Sequence, residues 1–279
     1  MKLKSIPLLL FLPTFMLLLV TCGGGSQPVD IYIPEAKVVA TTSAERWQPQ
    51  LDTSWQWQLS SLPIDQSFDV DIYDIDLFDN DSATVAALHI KGRKVICYMN
   101  AGGWEDWRPD AAEFPDAVIG NILDNWKDER WLDIRRIDML GPIMEARIDL
   151  CKEKDFDGIE PDNVDGYLND TGFPLTYEDQ LRYNVLLAEM AHERGLSIGL
   201  KNDMDQIPHL LPYFDWALNE QCFEYNECET LMPFINAGKP VFNAEYEVET
   251  QEFCETAIAL EFRSMKKNSN LDAWREPCD

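Results

Sequence analysis

Carboxylates and amides recur just beyond short apolar runs: Asp74 and Asp76, then Asn100, then Glu160, Asp162, Asn163 and Asp165. The series continues with Lys201, Asn202 and Asp203, with Glu220, and with Glu245. The only histidines are His89, His192 and His209, and no CxxC motif occurs, so a zinc site or a histidine-based triad has little to draw on. Chemistry must lean on carboxylates, and no metal or organic cofactor is implied. Two acids flanking a glycosidic bond are one such chemistry: one protonates the leaving oxygen, the other acts as nucleophile or activates water. Like charges and apolar walls raise one carboxyl's pKa so that it stays protonated while its partner is ionised. Tyr73, Tyr98, Trp104, Tyr167, Phe223 and Tyr225 offer flat faces for sugar rings, although each serves equally well in a core. The acid-rich run Asp74 to Asp81 lacks the central glycine and closing glutamate of an EF-hand loop.

The elements that must position these groups are short β-type runs alternating with helical patterns, the signature of a parallel sheet. The runs are Trp55 to Leu59, Val70 to Tyr73, Val95 to Met99, Gly158 to Pro161, Ser197 to Lys201, Trp216 to Asn219, Pro240 to Ala244 and a weak last one at Leu271 to Trp274. Eight runs predict a (β/α)8 barrel in a single domain, whose catalytic groups project from the C-terminal strand ends. Helices are expected at Gly141 to Lys154 and at Tyr177 to Arg194, the latter stopped by Gly195. The long interval between strands three and four contains Trp104, Trp107, Trp126 and Trp131, which predicts a loop elaboration at the active-site rim.

The 279 residues carry a net charge of −27, which disfavours nucleic acid or an anionic membrane surface and attracts a polycation, although an acidic surface also serves solubility. Met1 to Lys4 and the apolar run Ile6 to Val20 form a signal-peptide pattern. Leu19-Val20-Thr21-Cys22 resembles a lipobox, so residues 1–22 are expected to end at an acylated Cys22 that anchors the protein to a membrane. Thr21 departs from the usual small residue there, and plain signal cleavage near the following glycines is the alternative. Residues 23–45 are a tether, and 46–279 the folded domain, exported and expected as a monomer. The remaining six cysteines allow fifteen connectivities. Closeness in sequence or on neighbouring elements favours Cys97–Cys151, Cys222–Cys228 and Cys254–Cys278.

Several stretches together resemble glycoside hydrolase family 114, the endo-α-1,4-polygalactosaminidases. They are Trp55-Gln56-Trp57-Gln58-Leu59, Val95 to Gly102, Trp131 to Arg135, Asp157 to Asp165, Leu200-Lys201-Asn202 and Asn219 to Phe223, spanning nearly the whole mature chain. The resemblance implies a barrel that cuts α-1,4-linked galactosamine runs from within, using one acid after strand four and one after strand six. Here these are Asp162 and Glu220. The family often has Asp where Glu160 stands. Asn163 and Asp165 are expected to shape the subsite, and Lys201 and Asn202 to bond sugar hydroxyls or the catalytic carboxylates. Asp76, Asp165 or Glu224 would pair with a substrate ammonium, and Asp74, Tyr98, Asn100, Trp104, Phe223 and Glu245 complete the expected binding surface. By analogy with retaining α-galactosidase barrels, Asp162 is the nucleophile and Glu220 the acid/base. A polysaccharide-binding lipoprotein on the same barrel is the rival reading.

Overall fold

The computed structural model describes residues 46–124 and 126–278, which fall within one compact unit. The expected signal peptide, the acylated Cys22 and the tether lie outside the described residues. Among the described residues no helix is long and apolar enough to cross a membrane.

Among the described residues twelve strands are formed: β1 (Trp55–Gln58), β2 (Ile72–Asp76), β3 (Lys94–Asn100), β4 (Gly103–Glu105), β5 (Ile119–Leu123), β6 (Trp126–Leu132), β7 (Gly158–Asp162), β8 (Ser197–Lys201), β9 (Trp216–Glu220), β10 (Val241–Glu245), β11 (Arg263–Lys267) and β12 (Arg275–Pro277). The helices are α1 (Ser82–Ile90), α2 (Ile137–Glu153), α3 (Tyr177–Glu193), α4 (Ile207–Leu210), α5 (Cys222–Tyr225), α6 (Met232–Asn236) and α7 (Thr250–Ala259). Eight strands run parallel in the order β1-β2-β3-β7-β8-β9-β10-β11, with β12 antiparallel on β11. This is a (β/α)8 barrel. The two ends of the series meet where the Trp55 indole donates to the Arg263 carbonyl at 2.8 Å.

The barrel strands are short and buried on both faces, as parallel strands under helices must be. Every residue of β1, β2, β8 and β10 is buried. Trp55, Trp57, Ile72, Ile96, Trp216, Leu218, Phe242, Ala244 and Met265 converge in one cluster and so define the inward faces of β1, β2, β3, β9, β10 and β11, and register extends that face to β7 and β8, where Gly158 lies opposite Ile96 and Gly199 opposite Trp216. Space for the large rings comes from glycine: a Cβ on Gly199 would sit 2.2 Å from the Trp216 ring. The expected helix at Tyr177 is α3, begun by a capping box between Thr176 and Asp179.

The eighth barrel strand is β11, not the run at Leu271 to Trp274 expected from sequence. Arg263-Ser264-Met265-Lys266-Lys267 has one apolar residue and no hydrophobic pattern, yet Met265 joins the core and Lys267 is buried. Leu271 instead lies in a loop whose carbonyl accepts from the amides of Leu59 and Ser60, beyond the end of β1.

The interval between β3 and β7 carries a small antiparallel sheet of its own, in the order β4-β6-β5. It is held close to β7 because a Cβ on Gly102 would lie 1.7 Å from the Asn163 carbonyl oxygen, so only glycine fits. Arg147 of α2 braces it, donating to the Asn100 carbonyl at 2.5 Å and forking onto Asp110. Disulfides join Cys97 of β3 to Cys151 of α2, Cys222 to Cys228, and Cys254 of α7 to Cys278.

Candidate active site

Because side chains alternate along a strand, the inward face set by the core cluster continues to the C-terminal ends of the strands. On β7 that face carries Gly158, Glu160 and Asp162; on β8, Ser197, Gly199 and Lys201; on β9, Trp216, Leu218 and Glu220. The lower positions are small or apolar and fill the barrel. The upper ones are charged and meet at the floor of an open cleft of about 1050 Å³.

Lys201 is the hub of that floor. The residue is 2% exposed, and its ammonium lies 3.0 Å from Glu160 Oε1, 3.0 Å from Asp162 Oδ1 and 3.3 Å from Glu220 Oε2, with the Trp57 ring beneath it. Burial opposes its charge, but Asp162, Glu160 and Glu220 outweigh burial and hold it firmly protonated.

Asp162 also accepts from the Tyr98 hydroxyl at 2.9 Å and from the Asn163 amide at 2.8 Å. Burial disfavours the carboxylate, yet the Lys201 charge and these donors prevail and hold Asp162 below the usual carboxylate range. Glu220 is held differently, by a short bond from the Tyr246 hydroxyl and a longer one from Asn202 Nδ2 at 3.3 Å. Both carboxylates retain solvent contact at the cleft floor, with side chains 20% and 25% exposed.

Below the floor, Glu160 is fully buried, accepts from the Trp57 indole at 3.0 Å and is pushed up to about 7, chiefly by burial. Its neighbour Asp74 is raised well above the usual range by burial and then by the Glu160 charge. Asp165 is pushed up to about 6 by burial and then by the Asp162 charge.

The side walls bring more groups to the cleft. Arg108 grips Asp76 bidentately, at 2.5 and 3.0 Å, and donates to Glu105 at 2.8 Å. Glu129 of β6 accepts from Asn100 Nδ2 at 3.1 Å. Trp107, Trp126, Trp131 and Tyr225 add aromatic surface, with Trp107, Trp126 and Tyr225 more than half exposed. Among the described residues no group of three His, Cys, Asp or Glu is placed to hold a metal ion.

Of the residues singled out from sequence, Asp76, Tyr98, Asp162, Asn163, Asp165, Lys201, Asn202 and Glu220 line the cleft. Asp74 and Glu160 lie under its floor, and Asn100 stands behind its wall, buried. Trp104 is turned aside, its indole donating to the Ala111 carbonyl. Phe223 packs on Phe253 and Phe262, and Glu224 accepts from Gln221. Glu245 is buried and accepts from the amides of Phe223 and Glu224. It faces away because it shares parity with Val241 and Asn243, whereas Ala244 is in the core. Tyr246, one residue on, has the inward parity and reaches Glu220. Continuing the period of two past β10 would have found it. Trp57, Glu105, Arg108 and Glu129 were also missed from sequence.

Residues 36–279 match the family model described as glycoside-hydrolase family GH114. No curated protein sequence matches the chain. Among solved structures it is similar to Aspergillus fumigatus Ega3, determined in complex with galactosamine, at 45% identity and a TM-score of 0.79, over 83% of this chain and 97% of that one. The glycoside hydrolase domain of PelA from Pseudomonas aeruginosa shares the fold, at 13% identity and a TM-score of 0.63, over 80% of this chain and 97% of that one. A trehalulose synthase mutant in complex with Tris shares it more distantly, at 10% identity and a TM-score of 0.52, over 73% of this chain and 58% of that one.

Proposed function

The chain belongs to glycoside hydrolase family GH114, and from that premise we propose that it cuts galactosamine-containing exopolysaccharide internally at α-1,4 linkages, with Asp162 as nucleophile and Glu220 as acid/base. The observation that carries this reading is the shared grip of Lys201 on both acids at the cleft floor. It keeps Asp162 ionised, as a nucleophile must be. The Lys201 contacts, at 3.0 and 3.3 Å, also hold the two carboxylates together at one point of the cleft floor, where both can reach one glycosidic bond.

In the first step Asp162 attacks the anomeric carbon while Glu220 gives its proton to the departing oxygen, leaving a glycosyl ester on Asp162. In the second step Glu220 takes a proton from water, which attacks the anomeric carbon and frees Asp162. The Tyr246 and Asn202 bonds fix the Glu220 carboxyl through both proton transfers. Tyr98 and Lys201 fix Asp162 and withdraw charge from it as the ester breaks. A polymer of free amino sugars is cationic at neutral pH, and a chain of net charge −27 draws it in. The three disulfides support a protein that works outside the cytoplasm.

The test is product release from partly deacetylated galactosaminogalactan by the parent protein, Asp162→Asn and Glu220→Gln. Galactosamine oligomers from the parent, and a loss of at least about 10³-fold in each variant, are expected. A folded parent that binds the polymer without cutting it would instead establish a binding protein.

A further inference from the structure

The wall formed by the small sheet holds a charge imbalance that the catalytic floor does not use. Glu105 of β4 and Glu129 of β6 are directly opposed across their antiparallel ladder. Like charges in that position destabilise a sheet, so the pair asks for a cation. Arg108 is the cation at hand, and it is already spent on Asp76 and on Glu105 Oε1, with Asp79 a further 3.7 Å contact. Glu105 is 98% buried and lines the cleft, yet its second oxygen, Oε2, has no hydrogen-bond donor. Glu129 accepts only the Asn100 amide, and among the described residues no cationic side chain lies within 4.0 Å of it. The wall thus holds one buried, unpartnered carboxylate oxygen beside the cleft and, in Glu129, a second carboxyl group without a counter-charge.

We propose that Glu129 and Glu105 together form the subsite that receives the ammonium group of an amino-sugar residue and so select free amine over N-acetylated sugar. The proposal rests on the galactosamine reading above and deepens it. A primary ammonium has three N–H donors and a compact positive charge, which matches a free Glu105 oxygen flanked by the Glu129 carboxylate. An acetamido group is neutral, bulkier and offers one N–H, so it would give Glu105 no added counter-charge and Glu129 none to ionise against. Specificity of this kind, in which the wrong ligand strands buried polar groups, discriminates strongly.

The wall's own ionisation fits this role. Burial, then the charges of Glu105 and Asp162, push Glu129 up to about 8 despite Arg108 and the Asn100 bond. In the free protein at pH 7 it therefore holds a proton, and an arriving ammonium favours its ionised form. Binding of an amino sugar below pH 8 should then release a proton from Glu129.

The test is calorimetric binding of galactosamine and N-acetylgalactosamine oligomers of equal length, in two buffers of different ionisation enthalpy, to Glu220→Gln protein with and without Glu129→Gln. Glutamine keeps the shape and the Asn100 bond. The preference for the amine should fall by about 10- to 100-fold on losing one charge-assisted contact, and the proton released at pH 7 should disappear. Glu129→Asp, which keeps the charge, should retain part of the preference. Parallel weakening of both oligomers, or an unchanged preference, overturns the subsite. Failure of both oligomers to bind the Glu220→Gln parent overturns the galactosamine reading itself, and the subsite with it.

Discussion

Lys201→Met removes the one cation that Glu160, Asp162 and Glu220 share, and with it the ammonium over the Trp57 ring, while preserving an unbranched apolar side chain of similar length. Across 3.0 Å at an effective dielectric of 20, each close contact is worth about 5 kcal/mol of attraction, most of it offset by desolvation. Breaking a buried pair from one side typically costs about 3–5 kcal/mol, because the partner is left uncompensated. In a domain of this size each kcal/mol moves Tm by about 2–4 °C, so a loss of roughly 6–20 °C at pH 7 is expected. The pH dependence carries the sharper test. Asp162 is depressed, so its stabilisation is present above the unfolded aspartate value and lost as pH falls through the depressed one. Glu160 is raised to about 7 even with Lys201 present, so it costs stability as pH rises from about 4.5 to 7, and more without the lysine. Both effects make the deficit of the variant grow with pH. Thermal unfolding from pH 3.5 to 7.5 measures this directly, and the acid limb of the pH–rate profile should move up as Asp162 loses its counter-charge. A Tm deficit that is equal at pH 3.5 and pH 7 would refute the argument, because it would make Lys201 a packing residue.

Asp203 is pushed up to about 9 by burial and then by the Asp165 charge, so it is neutral when folded and ionised when unfolded across the neutral range. Stability from this source falls as pH rises from about 4 to 9. Asp203→Asn, which suits the left-handed backbone there at φ 42°, should therefore raise Tm at pH 8 by roughly 3–10 °C and give no gain at pH 4; equal Tm changes at both pH values would contradict the assignment. The Cys97–Cys151 bridge closes a span of 54 residues between β3 and α2, and replacing both cysteines by alanine should cost about 4 kcal/mol by chain entropy. Denaturant unfolding would show this as a lower midpoint, and an unchanged midpoint would mean that packing alone holds α2 to the barrel.

Much of the barrel was legible in the sequence because seven of its eight strands overlap the short β-type runs read there, each ending in a polar residue. Asp162, Lys201 and Glu220 stood out because they follow those runs and lie in the stretches that resemble family 114. The same choice of the first polar residue after a run selected Glu245, whereas strand parity places Tyr246 on the inward face. β11 escaped because its burial comes from lying between β10 and β12 beside Trp55, and its own residues are almost all polar. The wall was out of reach for a further reason. Glu105 and Glu129 lie 24 positions apart in a loop whose residues follow no barrel period, and nothing local says that β4 and β6 pair in the register that opposes them. Sequence alone determined that Asp162, Lys201 and Glu220 stand at strand ends, because a strand and the residue that closes it are short-range properties of the chain. Only the tertiary structure decided which charges stand without partners, because a counter-charge is fixed by distance in space and not by position along the backbone.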